Sequence, residues 1–308
     1  MNTELSVIIP TYNGANKIEE TLEALCNQTI HDFETIVVVD GSTDNTINVV
    51  RNFTNRLSNL VIEEQINGGR ACARNKGATL AKGEILLFID DDIEVLPDNI
   101  EQHITFHQMH KQATLVGNPM LNIEKTDDDI FLNYRADSEK RWDQKHRDGI
   151  TRISFQNYIF TTQNMSLRKT LFFHMGEFDE RLTDSEDFDF SLRLILADKP
   201  IFFNRDIKCY HNDFAGLALT IKRQSQYYLS KKALLKLHPE YKTLVPFQFE
   251  WQRKTYKDIF RKMLFKNRSL WEYFFGTHLF SLLPSFIRNL AFSSLIYTHS
   301  VLTVKKSD

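Results

Sequence analysis

The chain has 308 residues, 24 of them phenylalanine, and a formal net charge of −2, enough for one large α/β domain with an appendage or for two modest domains. The near-neutral total conceals an asymmetry: residues 220–308 carry 16 Lys and Arg against 5 Asp and Glu, leaving 22 against 35 in residues 1–219. An acidic front and a basic tail imply parts with different partners, and because the basic residues lie amid apolar bulk they do not read as a nucleic-acid site. Cys26, Cys72 and Cys209 are far apart and match no metal or redox spacing, which points to a reducing compartment. A strand begins by Leu5, leaving no room for a signal peptide, so the chain is expected to start in the cytosol.

Leu5 to Ile9 read as a first strand ended by Pro10. Ile18, Leu22 and Leu25 then recur at helical spacing and predict a helix over about 15–28. A second apolar strand runs from Thr35 to Val39 and ends at Asp40. Ile47, Val50 and Phe53 mark the next helix, and Leu60 to Glu63 a short strand. Gly68-Gly69 precede a helix of small residues through Ala71, Ala73 and Ala78. Ile85 to Ile89 follow as an unbroken apolar run, the pattern of a strand buried on both faces. Pro97 opens a helix toward Lys111. The charged segment Asp127 to Lys145 reads as mobile or flanking a site. Thr161 to Ser166 look extended, Glu186 to Ala197 helical, and Ile201 to Asn204 a strand. Beyond about Ala215 the strand signal ends and helices are expected, with a basic-aromatic stretch from Trp251 to Phe275. The alternation predicts an α/β fold: a mixed, mainly parallel sheet flanked by helices, with a helical extension.

The strongest chemical signal is Asp90-Asp91-Asp92, directly after the Ile85 strand. Strand ends in open α/β sheets are where ligands bind. Three adjacent carboxylates repel one another unless a cation sits among them, and hard cations such as Mg²⁺ or Mn²⁺ prefer oxygen ligands. A solvated acidic turn capping the next helix is the plainer alternative. Pro10-Thr11-Tyr12-Asn13-Gly14 offers a hydroxyl, an aromatic face and an amide after the first strand, or simply a turn. After the second strand, Ser42 or Thr43 can cap the next helix and Asp44 suits its positive end. Asp40 is not explained in that way and can accept hydrogen bonds from a nucleobase or ribose. Asn67 to Gly77 combine free backbone N–H groups with Arg70, Arg74 and Lys76, an anion site or a solvated basic face. Glu186 and Asp187 stand at the start of a helix with an inward face, where a carboxylate can act as general base. His211 is a lone histidine near a strand end, a position more typical of structural histidines than of ligands.

Pro10-Thr11-Tyr12-Asn13, Val39 to Asp44, Asn67-x-Gly69 through Arg74-Asn75-x-Gly77, Phe88 to Asp92 through Pro97, and Gly176-x-Phe178-Asp179-Glu180 with Glu186-Asp187-x-Asp189 and Leu192-Arg193 stand in one order. Together they resemble family 2 glycosyltransferases of the GT-A fold, of the kind that builds bacterial cell-surface polysaccharide, over about residues 4–212. The resemblance implies a catalytic domain over 1–215, with a donor half at about 1–97 and an acceptor half at about 98–215, and a basic, aromatic-rich helical extension over 216–308. It implies inverting transfer from a nucleotide-diphosphate sugar, a UDP-sugar, to a glycan or lipid-linked hydroxyl. Pro10, Thr11, Tyr12, Asp40, Arg74, Asp90 and Asp91 would bind the donor nucleotide, with Asp91 the interchangeable middle of the triplet. Asp92, joined by His211, would hold Mn²⁺ or Mg²⁺. Asp187 would deprotonate the acceptor, with Asn164 and Glu186 on the acceptor and sugar side. Two positions depart from the pattern: Val39 stands where relatives often carry an aspartate, and Ile93 where they often carry another acid. A nucleotidyltransferase of similar fold is the rival enzyme, although the Pro10–Gly14 loop lacks the basic residues that class places there. A non-catalytic sugar- or lipid-binding relative is the other alternative. Residues 251–304 read as helices packed on the catalytic domain or as a surface-lying anchor on the inner face of the cell membrane, since the stretch from Asn289 to Val304 is short for a span.

Overall fold

A computed structural model describes residues 4–126, 129–143, 149–158, 160–244 and 256–306. In chain order the elements are β1 (Leu5–Thr11), α1 (Ile18–Cys26), β2 (Glu34–Asp40), α2 (Thr46–Arg51), β3 (Leu60–Gln65), α3 (Arg70–Leu80), β4 (Ile85–Ile89), β5 (Ile93–Val95), α4 (Asn99–Met109) and β6 (Thr114–Leu121). Then follow α5 (Ile130–Asp143), β7 (Ile150–Arg152), β8 (Asn164–Arg168), α6 (Lys169–His174), α7 (Glu186–Leu196) and β9 (Ile201–His211). The last third is helical: α8 (Leu217–Leu237), α9 (Tyr241–Leu244), α10 (Tyr256–Leu264), α11 (Arg268–Phe275), α12 (His278–Ser281) and α13 (Ser285–Lys306). The chain divides into two compact units, residues 1–122 with 142–213, and residues 123–141 with 214–308.

The first unit holds one mixed sheet in the order β3-β2-β1-β4-β8-β6-β9-β5, with β7 paired to β9. β1 is parallel to both β2 and β4, so the chain leaves it to one side for β2 and to the other for β4. That reversal makes a crevice at the carboxyl ends of the strands, which are Thr11, Asp40 and Ile89. β8 runs antiparallel to β4 and pairs its first residue, Asn164, with Ile89 at the same edge. β5 pairs antiparallel with β9 so that Ile93 lies opposite His211. The strand pattern alone therefore brings Asp90–Asp92 and His211 together.

Side-chain alternation supplies two cores. Val7, Ile9, Val37, Val39, Leu87 and Ile89 pack on one face with Ile18, Leu22 and Leu25 of α1. Ile8, Ile36, Val38, Leu86 and Phe88 pack on the other with α3, α6 and α7. Every residue of β4 is buried, as its unbroken apolar run predicts. Phe88, Phe172, Phe178 and Phe190 interlock with centroids 5.1–5.4 Å apart and seat α7 against the sheet. This accounts for part of the phenylalanine excess.

Three stretches add to the elements expected from sequence. Residues 130–143 form helix α5; Asp127 and Lys145 lie outside the described residues. β6 is not among the expected elements; Gly117-Asn118-Pro119 interrupt its apolar pattern, yet the strand continues through a register shift between Val116 and Asn118. Gly117 is required there: a Cβ would lie 2.3 Å from Asn164 Nδ2 and 2.8 Å from the Ile207 carbonyl oxygen. β9 continues beyond Asn204 to His211.

The second unit has its own apolar core of Phe131, Ile221, Phe265, Phe275, Phe280, Phe292 and Leu295. Among the described residues, no helix is long and apolar enough to cross a membrane. Trp251 and Lys254 of the basic-aromatic stretch lie outside the described residues.

Candidate active site

The crevice is built by two loops that fasten to each other. The Asn13 N–H donates to Ser42 Oγ at 3.0 Å, the Thr43 N–H to Asn13 Oδ1 at 2.8 Å, and the Gly14 N–H to Thr46 Oγ1 at 2.9 Å. Ser42 and Thr43 thus hold the first loop rather than capping α2. Asn45 is the N-cap of α2 and makes no side-chain cap bond; Asp44, one residue before it, accepts from the Thr46 N–H at 3.1 Å. Tyr12 projects from this loop with 53% of its surface exposed, and Pro10 is buried in β1.

Asp40 ends β2 and is buried. Its Oδ1 accepts from Gln65 Nε2 at 2.7 Å and from the Gly68 N–H at 2.8 Å, and its Oδ2 from the Gly69 N–H at 2.9 Å. Three of a carboxylate's roughly four acceptor directions are therefore occupied. Asp40 first of all holds the Gly68-Gly69 turn that starts α3, where Gly69 adopts φ +88°. One direction on Oδ2 is left for a ligand.

The acidic triplet separates into three environments. Asp90 accepts from Arg74 at 2.6 Å; burial raises its pKa, but Arg74 and Arg70 outweigh that and hold it below the usual carboxylate range. Asp91 is buried, accepts from Thr11 Oγ1 at 2.6 Å, and lies 2.6 Å from Lys17 Nζ. It is not an interchangeable middle residue, since both of its oxygens are engaged inside the protein. Gly14 makes this packing possible, because a Cβ there would lie 2.5 Å from Asp91 Oδ2. Asp92 faces His211 Nε2 at 3.5 Å and Lys17 Nζ at 3.7 Å. Burial lowers the pKa of the Lys17 ammonium, but the charges of Asp91 and Asp92 outweigh it and the net shift is upward.

Arg74 departs most from expectation. It is 2% exposed and bridges Asp90 at 2.6 Å and Glu186 at 2.7 Å, with its guanidinium 5.9 Å from the Phe178 ring centroid. A guanidinium so enclosed positions two carboxylates and does not reach a phosphate. Its Nε and Glu186 Oε2 are buried without a hydrogen-bond partner. Asn75 anchors the adjacent loop, donating to the Phe178 carbonyl at 2.9 Å and accepting from the Phe178 N–H at 3.1 Å.

Asp187 is half-buried at the start of α7 and accepts from the Phe188 N–H at 2.7 Å. Burial, followed by the charge of Glu186, pushes its carboxyl up to about 7, although Arg74 works in the opposite direction. Tyr158 hydrogen-bonds Ser191, and burial and the Asp187 charge raise its phenol above its ordinary value. Asn164 is not on an acceptor surface. It is fully buried, paired through Oδ1 with His103 Nε2 at 2.9 Å in a polar core with Ser166 and His107. Lys17 and Tyr158 had no sequence signal, since neither belongs to a motif and only the fold brings them to the carboxylates.

Among the described residues, no group of three or more His, Cys, Asp and Glu is placed to hold a metal ion. Asp92 and His211 offer one oxygen and one nitrogen donor. Such a pair fits a Mg²⁺ or Mn²⁺ ion that draws its remaining ligands from water and substrate phosphates, not one caged by protein alone.

A mixed sheet flanked by helices, with a helical region after it, is the architecture of the GT-A glycosyltransferases to which this chain is similar in fold. Residues 6–175, more than half of the chain, match the model of glycosyl transferase family 2, and the chain belongs to that family. It is 31% identical over 226 residues to validoxylamine A glucosyltransferase of Streptomyces hygroscopicus subsp. jinggangensis, covering 66% of this chain and 54% of that protein. Hyaluronan synthase of Pasteurella multocida is 27% identical over 221 residues, 71% of this chain and 21% of that one. The chain thus spans about half the length of the first relative and about a fifth of the second. In fold it is similar to S. aureus TarS in complex with UDP-GlcNAc, with a TM-score of 0.57 and 19% identity over 99% of this chain and 92% of that chain. It is also similar to the mannosyltransferase PcManGT from Pyrobaculum calidifontis in complex with GDP-Man and Mn²⁺, with a TM-score of 0.63 and 16% identity over 100% of this chain and 88% of that chain.

Proposed function

We propose that the protein transfers a glycosyl residue, with inversion, from a UDP-sugar to a hydroxyl of a glycan or lipid-linked acceptor. The observation that carries this reading is the place of Asp187, in the first turn of α7 beside Glu186, where burial and the Glu186 charge push its carboxyl up to about 7. A general base works best with a pKa near the operating pH. As the acceptor oxygen attacks the anomeric carbon, Asp187 takes its proton and the bond to the diphosphate breaks, leaving the electron pair on the leaving group. The buried, unpartnered Oε2 of Glu186 supports a role for that residue on the sugar side. The exposed ring of Tyr12 and the remaining acceptor direction of Asp40 suit the nucleoside. Asp92 and His211 would hold Mn²⁺ or Mg²⁺, which when bound supplies positive charge against the leaving diphosphate. Three free cysteines suit a reaction in the reducing cytosol.

The test is Asp187→Asn, assayed for transfer from a panel of nucleotide sugars alongside donor binding by calorimetry. Transfer should be lost while donor affinity stays within about twofold, since the substitution is isosteric and removes only the proton acceptor. Turnover near that of the unaltered protein would overturn the base assignment, and absence of hydrolysis or transfer with any nucleotide sugar would overturn the reaction class.

A further inference from the structure

Helix α10 is amphipathic in the reverse sense to a water-facing helix. Tyr256, Ile259, Phe260, Met263 and Leu264 recur at the spacing of a single helical face. All five are exposed, between 51% and 88%. Arg261 and Lys262, which a helix on an aqueous surface would turn outward, are half-buried instead. Their charges lie 5.2 and 5.6 Å from the Tyr297 ring centroid of α13, within cation–π range. The basic residues bind the helix to its own unit while the apolar stripe faces out. Nearby in sequence, Leu279, Leu282, Phe286 and Leu290 are also exposed.

We propose that α10 is a membrane-docking element that lies flat on an anionic lipid surface, with the Tyr256–Leu264 stripe sunk into the boundary between headgroups and acyl chains. Such an arrangement is how a helix that lies on a bilayer presents itself. Charge selects this occupant: residues 220–308 carry 16 Lys and Arg against 5 Asp and Glu, which an anionic leaflet attracts. A second copy seated symmetrically on the same face would bring that excess against itself, and like charges across an interface are unfavourable. A membrane-crossing role is not available to α10, which has nine residues. This inference goes beyond the proposed reaction and does not depend on which sugar is transferred.

Flotation of the full chain with vesicles tests it. The protein should rise with phosphatidylcholine vesicles containing phosphatidylglycerol, and far less with phosphatidylcholine alone. Phe260→Glu with Met263→Glu should lower the bound fraction by roughly tenfold or more, with circular dichroism and donor hydrolysis unchanged. If that variant does not fold, Phe260→Ser is expected to weaken binding in the same direction. A protein that stays at the bottom of the gradient with anionic vesicles would overturn the proposal, as would equal flotation of the folded variants. So would a dimer in light scattering that the glutamate variant dissociates while flotation is unaffected, because the stripe would then belong to a second copy.

Discussion

Among the described residues, the first unit buries Glu34, Asp40, Arg74, Asp91, Glu186 and Asp189, whereas the second unit buries no Asp, Glu, Lys or Arg. Exposure runs the other way: 17 of the 22 exposed large apolar side chains belong to the second unit. Each ion taken out of water costs several kcal/mol unless it is paired, so a fold accumulates buried charge where geometry must be held. Large exposed apolar faces cost little in folding but drive association. The first unit thus concentrates buried charge and the second exposed apolar surface, the contrast on which the proposed reaction and the proposed docking rest.

The largest effect that can break this contrast is at Asp187. Asp187→Asn should lower kcat by roughly 10²- to 10⁴-fold, measured with a labelled nucleotide sugar. In the unaltered enzyme kcat/KM should fall about tenfold per pH unit below an inflection near 7, where the base becomes protonated. A loss of less than about tenfold in the variant would mean that the buried charge serves packing only.

Next comes Arg74→Met, which strands Glu186 and Asp90 without their cation. A broken buried pair costs about 3–5 kcal/mol, read from urea unfolding, and adding Glu186→Leu should recover much of it. Because Arg74 lowers the Asp187 pKa, the inflection in any residual activity should move upward. A cost under about 1 kcal/mol would class the ion pairs with weak surface bridges.

Acid should then destabilise the first unit through its polar core. Burial lowers the pKa of His103 to about 4 and of His107 to about 3, from an ordinary 6.5. Below 6.5 the unfolded chain takes up protons that the folded chain refuses. Stability is therefore complete above that pH and falls as pH drops toward 4, by up to about 1.4 kcal/mol per pH unit for each histidine. Unfolding midpoints across this range check it, and a flat profile would contradict the buried neutral pair.

The smallest effect is in the second unit. Met263→Ser should change stability by no more than about 0.5 kcal/mol, as an exposed substitution away from packing does. A cost of several kcal/mol would show that the α10 stripe is core and not surface.

Much of the first unit was legible in its residues. Unbroken apolar runs ending at Pro10, Asp40 and Asp90 revealed β1, β2 and β4, because strand ends in a parallel sheet gather at one edge. The partners of the motif residues were not legible. Asp91 read as a spacer, and Arg74 as a phosphate contact, because Lys17 and Glu186 reach them only through the fold. Asn164 read as an acceptor contact because an extended segment near a motif does not disclose the two histidines of α4 behind it. The Arg261 and Lys262 contacts with Tyr297 likewise span some 35 residues of sequence and cannot be read from helical periodicity.

The Asp90–Arg74–Glu186 bridge has a mechanical consequence. It joins the end of β4 to the start of α7 through a residue with no room to turn. Loss of Arg74 leaves two carboxylates without their cation, whereas loss of either carboxylate takes one of two partners from the guanidinium. Arg74 is therefore the member of the bridge whose replacement is best tolerated when a carboxylate is replaced with it. The bridge thus ties the strand end that carries the acidic triplet to the helix that carries Asp187, so the two move as one body.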